Sequence, residues 1–136
     1  MLQVKSVDLY TNPSCPNIKY TAFTYAVPSL PPQNVSGYNT SSTSLHVSWH
    51  EVPYGFVHGI LLGYRVLYKV ASGTSNNSVV STSGNTNEKE LLGLKKFTIY
   101  EITVLAFTRI GDGANATSIF VSTDEDSKSN VIPLYK

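Results

Sequence analysis

Four short runs alternate apolar and polar residues along the chain. Leu45-His46-Val47-Ser48-Trp49 sets Leu45, Val47 and Trp49 on one side. Tyr64-Arg65-Val66-Leu67-Tyr68 does so with Tyr64, Val66 and Tyr68, and Tyr100 to Ala106 with Tyr100, Ile102, Val104 and Ala106. Ile119-Phe120-Val121-Ser122-Thr123 closes the series. A period of two places alternate side chains on opposite faces of a strand, so each run predicts a strand with one buried face. No stretch longer than two helical turns keeps a 3.6-residue apolar period. Between the runs lie turn-forming clusters: Val52-Pro53-Tyr54-Gly55, Ser72-Gly73-Thr74-Ser75-Asn76-Asn77 and Gly111-Asp112-Gly113. Short strands rich in Val, Thr and Tyr, punctuated in this way, predict an all-β sandwich.

Two breaks bracket the predicted sandwich. Prolines in Pro28-Ser29-Leu30-Pro31-Pro32 cannot donate to a sheet ladder, which predicts a stiff extended linker. Asp124 to Asn130 is polar and predicts a tail. The chain therefore divides into an N-terminal extension or linker over 1–30, a domain over 31–125 and a tail over 126–136. Tyr20 to Val27 has a β-forming composition. It suits either the last strand of a preceding domain or an extra edge strand of this one.

Composition narrows the function. The 136 residues are 41% hydrophobic with nine tyrosines, enough apolar surface to repay ordering. Charged residues make up only 14% and the net charge is +1, which lacks the basic footprint of a nucleic-acid binder. No run reaches the ~18 apolar residues of a membrane-spanning helix, so this segment is expected not to insert in a membrane. The single cysteine, Cys15, allows neither an intrachain disulfide nor a cysteine-based zinc site. Met1 to Asp8 lacks the apolar core of a signal peptide, as expected of a cytosolic protein or of a piece of a longer chain.

The residues that could carry chemistry do not converge. His46 and His50 are four positions apart on one predicted strand, or ~13 Å at ~3.3 Å per residue. That is too far to share a metal held at ~2.0–2.1 Å, and both fall on the face opposite Leu45, Val47 and Trp49. His58 lies in a glycine-rich loop with no neighbouring carboxylate or cysteine in sequence. Neither a Gly-x-Ser-x-Gly elbow nor a phosphate-binding loop occurs. No enzyme activity, cofactor, metal or small-molecule substrate is expected. Asn34-Val35-Ser36, Asn39-Thr40-Ser41, Asn76-Asn77-Ser78 and Asn115-Ala116-Thr117 fit the N-glycosylation pattern, making Asn34, Asn39, Asn76 and Asn115 candidate glycan sites.

Several of these segments, in order, resemble a fibronectin type III domain over about 95 residues. Pro31-Pro32-Gln33-Asn34-Val35 is similar to the start of that family's first strand, Leu45 to Trp49 to its second, and Gly63 to Tyr68 to its third. Leu94 to Tyr100 resembles its tyrosine corner, and Gly111-Asp112-Gly113 its glycine-containing turn before the last strand. The resemblance implies a seven-stranded antiparallel immunoglobulin-like sandwich with Trp49, Tyr64, Val66, Leu94, Tyr100, Ile102 and Val104 in its core. A buried Trp49 would place its N–H near a backbone oxygen. Tyr100 would bury its ring and send its hydroxyl back to a loop carbonyl. Arg109-Ile110-Gly111-Asp112 departs from the Arg-Gly-Asp tripeptide of some family members by one inserted residue, so integrin binding is not expected.

The implied function is a protein-binding or spacer module in a tandem, extracellular or cell-surface adhesion or receptor protein. Its partner would be another protein or the neighbouring domains of its own chain. Alternatives are an ectodomain fragment of a receptor-type tyrosine phosphatase, or an accessory spacer of a secreted polysaccharide-degrading enzyme. A cytosolic muscle-type array is a further alternative, which the free Cys15 allows and the sequons disfavour. Alternation also turns Leu67, Leu105, Phe107 and Phe120 outward on strands that neighbour one another in the implied fold. These four predict an exposed apolar contact face, with Arg65 and Thr103 around it.

Overall fold

Alternating burial along the strands follows the alternating sequence, and it sets two sheets face to face. The computed structural model describes residues 9–12, 15–21 and 25–124. Among them are ten strands and no helix: β1 (Leu9–Asn12), β2 (Cys15–Thr21), β3 (Gln33–Ser41), β4 (Ser44–His50) and β5 (Gly63–Val70) come first. They are followed by β6 (Ser78–Ser83), β7 (Glu88–Leu91), β8 (Ile99–Thr108), β9 (Gly111–Asn115) and β10 (Ile119–Ser122). One sheet runs β3-β4-β7. The other runs β10-β8-β5-β6, with β9 also paired to β8. All pairings within the two sheets are antiparallel.

The core fills the space between the sheets. Leu45, Val47 and Trp49 of β4 and Leu91 of β7 meet Tyr64 and Val66 of β5 and Tyr100, Ile102, Val104 and Ala106 of β8. Leu94 and Val52 close the cluster from the loops. Trp49 and Tyr64 pack with ring centroids 5.2 Å apart at 59°, a tilted arrangement favoured by the ring quadrupoles. The indole N–H does not reach a backbone oxygen as expected: Trp49 Nε1 is buried without a hydrogen-bond partner. The ring is placed by its apolar area.

Eight strands build the sandwich where seven were expected, because the last one is broken. Asn115 lies three positions after Asp112 on β9, while their partners Leu105 and Phe107 on β8 are only two positions apart. Ile119 then lies four positions after Asn115, against three from Ile102 to Leu105. Each extra residue bulges the strand and raises its local twist. In the gap, Ala116 turns inward and its N–H donates to the Val104 carbonyl at 2.8 Å. The predicted turn at Gly111-Asp112-Gly113 is likewise displaced. Those residues belong to β9, and the hairpin turn is Arg109-Ile110, with Gly111 following at φ +154°.

The N-terminal region resolves into two parts. β1 and β2 pair with each other as a separate two-stranded sheet. Tyr20 and Thr21 thus lie in β2, which joins neither sheet of the sandwich. Residues 25–30, read from sequence as part of a linker, are packed into the body: Ala26 is 2% exposed and Pro28 is fully buried. Their backbone is fastened by Ala26 N–H to the His58 carbonyl and Ser29 N–H to the Phe56 carbonyl. Ala114 N–H donates to the Pro28 carbonyl in turn. Missing proline donors did not free this segment, because its other backbone groups found partners. The tail expected over 126–136 lies outside the described residues.

Candidate interaction surfaces

Antiparallel connectivity gathers the loops at two ends of the sandwich, and the ends differ in chemistry. At one end the β3–β4 turn, the start of the β5–β6 loop, the segment before β8 and Thr123-Asp124 after β10 meet. Leu94 N–H donates to the Thr43 carbonyl, Ala71 N–H to Ile99 and Phe97 N–H to Asp124. The Tyr100 hydroxyl accepts the Lys95 backbone N–H at 2.9 Å, so the tyrosine corner forms through an N–H where a carbonyl partner was expected. Thr123, the last residue of the alternating run from Ile119, is 2% exposed and completes this end. Its Oγ1 donates to the Lys95 carbonyl at 2.7 Å and accepts the Thr98 N–H at 3.0 Å.

At the other end the 51–62 loop, the Arg109-Ile110 turn and the packed 25–29 segment meet. Phe56 N–H donates to the Pro53 carbonyl at 3.0 Å, closing a turn whose third residue, Gly55, sits at φ +96°. Such a turn needs glycine there, and it throws Tyr54 outward, where its side chain is wholly exposed. Phe56, Ile60, Leu62 and Ile110 are exposed around the same end. Beneath them His58 acts as a clamp. Its carbonyl accepts from Ala26 N–H, its Nε2 lies 2.8 Å from Ser29 Oγ, and its own φ is +60°. Thr108 Oγ1 donates to the Ala26 carbonyl, and the Arg109 guanidinium lies 5.9 Å from the Tyr25 ring centroid. A fixed scaffold thus displays an apolar rim. The sequence signal for it was the run Tyr54 to Leu62, which holds too many large apolar residues for a solvated loop.

The expected contact face on the other sheet is arranged differently. Leu67, Leu105, Phe107 and Phe120 alternate with core residues as read. However, Leu105 is only 5% exposed, flanked by Arg65 of β5 and Asn115 of β9. Phe107 is half-buried, with the Arg65 guanidinium 4.2 Å above its ring, and Arg65 is ion-paired with Asp112. Cation, ring and carboxylate cover one another, which closes this part of the face. Leu67 is half-buried, and Phe120 stands exposed on β10 opposite Glu101. A bulged β9 bearing Asp112, invisible in the alternation, accounts for the cover.

The histidines take separate partners. His46 Nε2 and Nδ1 each lie 3.2 Å from a carboxylate oxygen, of Glu88 and Glu90 respectively. With both ring nitrogens so engaged, His46 has none left to activate a hydroxyl nucleophile. The Thr40 hydroxyl first, and His46 after it, hold the Glu90 carboxyl below its ordinary value. His50 Nδ1 lies 3.0 Å from Asn34 Nδ2. Among the described residues, no group of three or more His, Cys, Asp or Glu side chains could hold a metal ion. The sequons also separate: Asn76 and Asn115 are exposed, Asn39 is half-buried in β3, and Asn34 lies at a bulge with φ +49°.

Comparison with known proteins agrees with this geometry. A chicken protein, sidekick-1, is 42% identical over 102 residues, covering 74% of this chain and 5% of the relative. The human cell adhesion molecule DSCAM is 42% identical over 101 residues, again covering 74% of this chain and 5% of the relative. This chain therefore spans only a small part of the length of these relatives. Among solved structures, the fn3 domain of human collagen alpha-1(XX) chain aligns with a TM-score of 0.61 at 29% identity, over 71% of this chain and 87% of that one. The fn3 domain of human contactin 1 aligns with a TM-score of 0.65 at 25% identity, over 72% and 80%. The family model for the fibronectin type III domain matches residues 30–122, and with this sandwich, core and tyrosine corner the chain belongs to that family.

Proposed function

We propose that this chain is a non-catalytic contact and spacing module of a cell-surface adhesion or receptor protein, and that its apolar loop end seats the module on its N-terminal side. The exposure of Tyr54, Ile60, Phe56 and Ile110 around the place where the backbone enters the sandwich carries this reading. Residues 25–29 are hydrogen-bonded there, so the backbone enters the sandwich beside the rim. Relatives at 42% identity are about twentyfold longer than the matched segment, which suits a module working among neighbours. Catalysis is disfavoured by the carboxylates that engage both nitrogens of His46.

The test uses a fragment of the full-length protein holding this domain and its N-terminal neighbour. Replacing Tyr54 and Ile60 together by Ser should lengthen the maximum dimension measured by small-angle scattering and broaden its distribution. Unfolding of the domain itself should stay within ~0.5 kcal/mol, as surface changes do. An unchanged scattering profile would overturn the docking claim.

A further inference from the structure

The edges of the two sheets are unequally protected. A free edge presents unpaired N–H and C=O groups to any second strand, and proteins blunt edges with charge, proline, bulges or cover. β7 is four residues long, three of them charged: Glu88, Lys89 and Glu90. β3 carries two register shifts and lies against β10; a Cβ at Gly37 would come within 3.3 Å of Val121 and Ile119 side chains. β9 carries a bulge, and β10 is a short strand of four residues separated from it. β6 has none of these devices. Ser78-Val79-Val80-Ser81-Thr82-Ser83 pairs with β5 in unbroken register, and Val79 is half-exposed on its outer face. From Ala71 to Asn87 the chain holds no Asp, Glu, Lys, Arg or Pro.

One feature of that uncharged stretch can supply the cover. The Asn76-Asn77-Ser78 sequon ends on the first residue of β6, and Asn76 is exposed in the loop just before it. The other sequons lie within strands or carry a side-chain partner, although Asn34 and Asn115 are exposed like Asn76. Asn34 Nδ2 is engaged with His50, Asn39 is half-buried within β3, and Asn115 is paired within β9. We infer that Asn76 carries an N-linked glycan, and that this glycan shields the β6 edge against antiparallel pairing with β6 of a second copy. In the modifying step, Asn76 Nδ2 forms a bond to the anomeric carbon of an oligosaccharide carried on a lipid pyrophosphate. The anomeric carbon–oxygen bond to pyrophosphate breaks, and the amide proton balances the released lipid pyrophosphate. The bulky, hydrated sugar then stands beside the first ladder positions of β6.

This inference rests on the cell-surface reading, because the modification belongs to the secretory route. The chain, secreted from mammalian cells behind an added leader, is mapped by peptide mass spectrometry before and after enzymatic deglycosylation. Its mass in solution is then measured by sedimentation over a range of concentrations. Expected are a glycan at Asn76 and a monomer. Asn76→Gln should shift to a dimer as concentration rises, and Asn76→Gln with Val79→Lys should return to a monomer, because a charge then guards the edge. Glycans at Asn34, Asn39 or Asn115 with none at Asn76 would overturn this inference and leave the cell-surface reading standing. Absence of glycan from all four would count against both. An occupied Asn76 whose Asn76→Gln variant stays monomeric would overturn the shielding role.

Discussion

The two ends of the sandwich are built from the same sheets and solve different problems. At the tyrosine-corner end, loop backbone groups are consumed by internal hydrogen bonds: Lys95 N–H to Tyr100, Thr98 N–H and the Lys95 carbonyl to Thr123, Leu94 N–H to Thr43. At the opposite end hydrogen bonds fasten residues 25–29 below, while large apolar side chains point away from the protein. Leu92, Phe97 and Ile99 are exposed at the first end too, but only the second end borders residues 25–29, where the backbone enters the sandwich. Substitutions of the hydrogen-bonding side chains Tyr100 and Thr123 at the first end should cost folding free energy, and substitutions of the exposed Tyr54 and Ile60 at the second should leave folding alone and change contacts.

The largest expected effects test what both ends share. Trp49→Ala or Tyr100→Ala removes a buried aromatic ring and should cost about 3–5 kcal/mol in urea unfolding, a large part of a typical ~5–15 kcal/mol. A near-zero cost for Trp49→Ala would contradict the core. Next comes the closed end alone. Thr123→Val keeps the shape but removes Oγ1, leaving the Lys95 carbonyl and Thr98 N–H without it. A loss of about 1–3 kcal/mol is expected, and Tyr100→Phe should fall in the same range by orphaning the Lys95 N–H. If Thr123→Val were neutral, the polar closure would contribute nothing to stability.

A smaller effect concerns the sheet β3-β4-β7 beside the β3–β4 turn. Glu90 is held below its ordinary value of 4.5, so its contribution is present above that value and is lost as pH falls through the lowered one. Comparing unfolding midpoints between pH ~6 and ~3, the wild type should lose more stability than Glu90→Gln. Equal acid sensitivity would show that the carboxylate is not stabilised by folding. The smallest stability effect belongs to the displaying end: Tyr54→Ser should stay within ~0.5 kcal/mol, and a larger loss would place that ring in the core.

What the sequence revealed follows from physical range. Alternation is local, so it located β4, β5, β8 and β10 and sorted Val66 from Leu67 and Ile102 from Thr103. The ordered segments resembling one family supplied the tyrosine corner at Tyr100. Long-range pairing was less legible. The Arg65–Asp112 ion pair over Phe107 and the Glu88–His46–Glu90 array join residues from different strands, and no local pattern announces them. The bulges that split β9 from β10 hide in residues such as Ala114 and Ala116, which suit strand and loop alike. Proline in Pro28-Ser29-Leu30 was read for the donors it lacks. The carbonyls that proline keeps, and the partners waiting at Phe56, His58 and Ala114, pinned the segment instead.

Backbone hydrogen exchange across residues 53–62 reads the division between the ends most directly. It is measured in the isolated chain and again with the N-terminal neighbouring module attached. Display at this end predicts slower exchange in 53–62 when the neighbour is present, with unchanged exchange at Lys95 and Thr98. Equal exchange in 53–62 in both forms would contradict the assignment of this end as a contact surface.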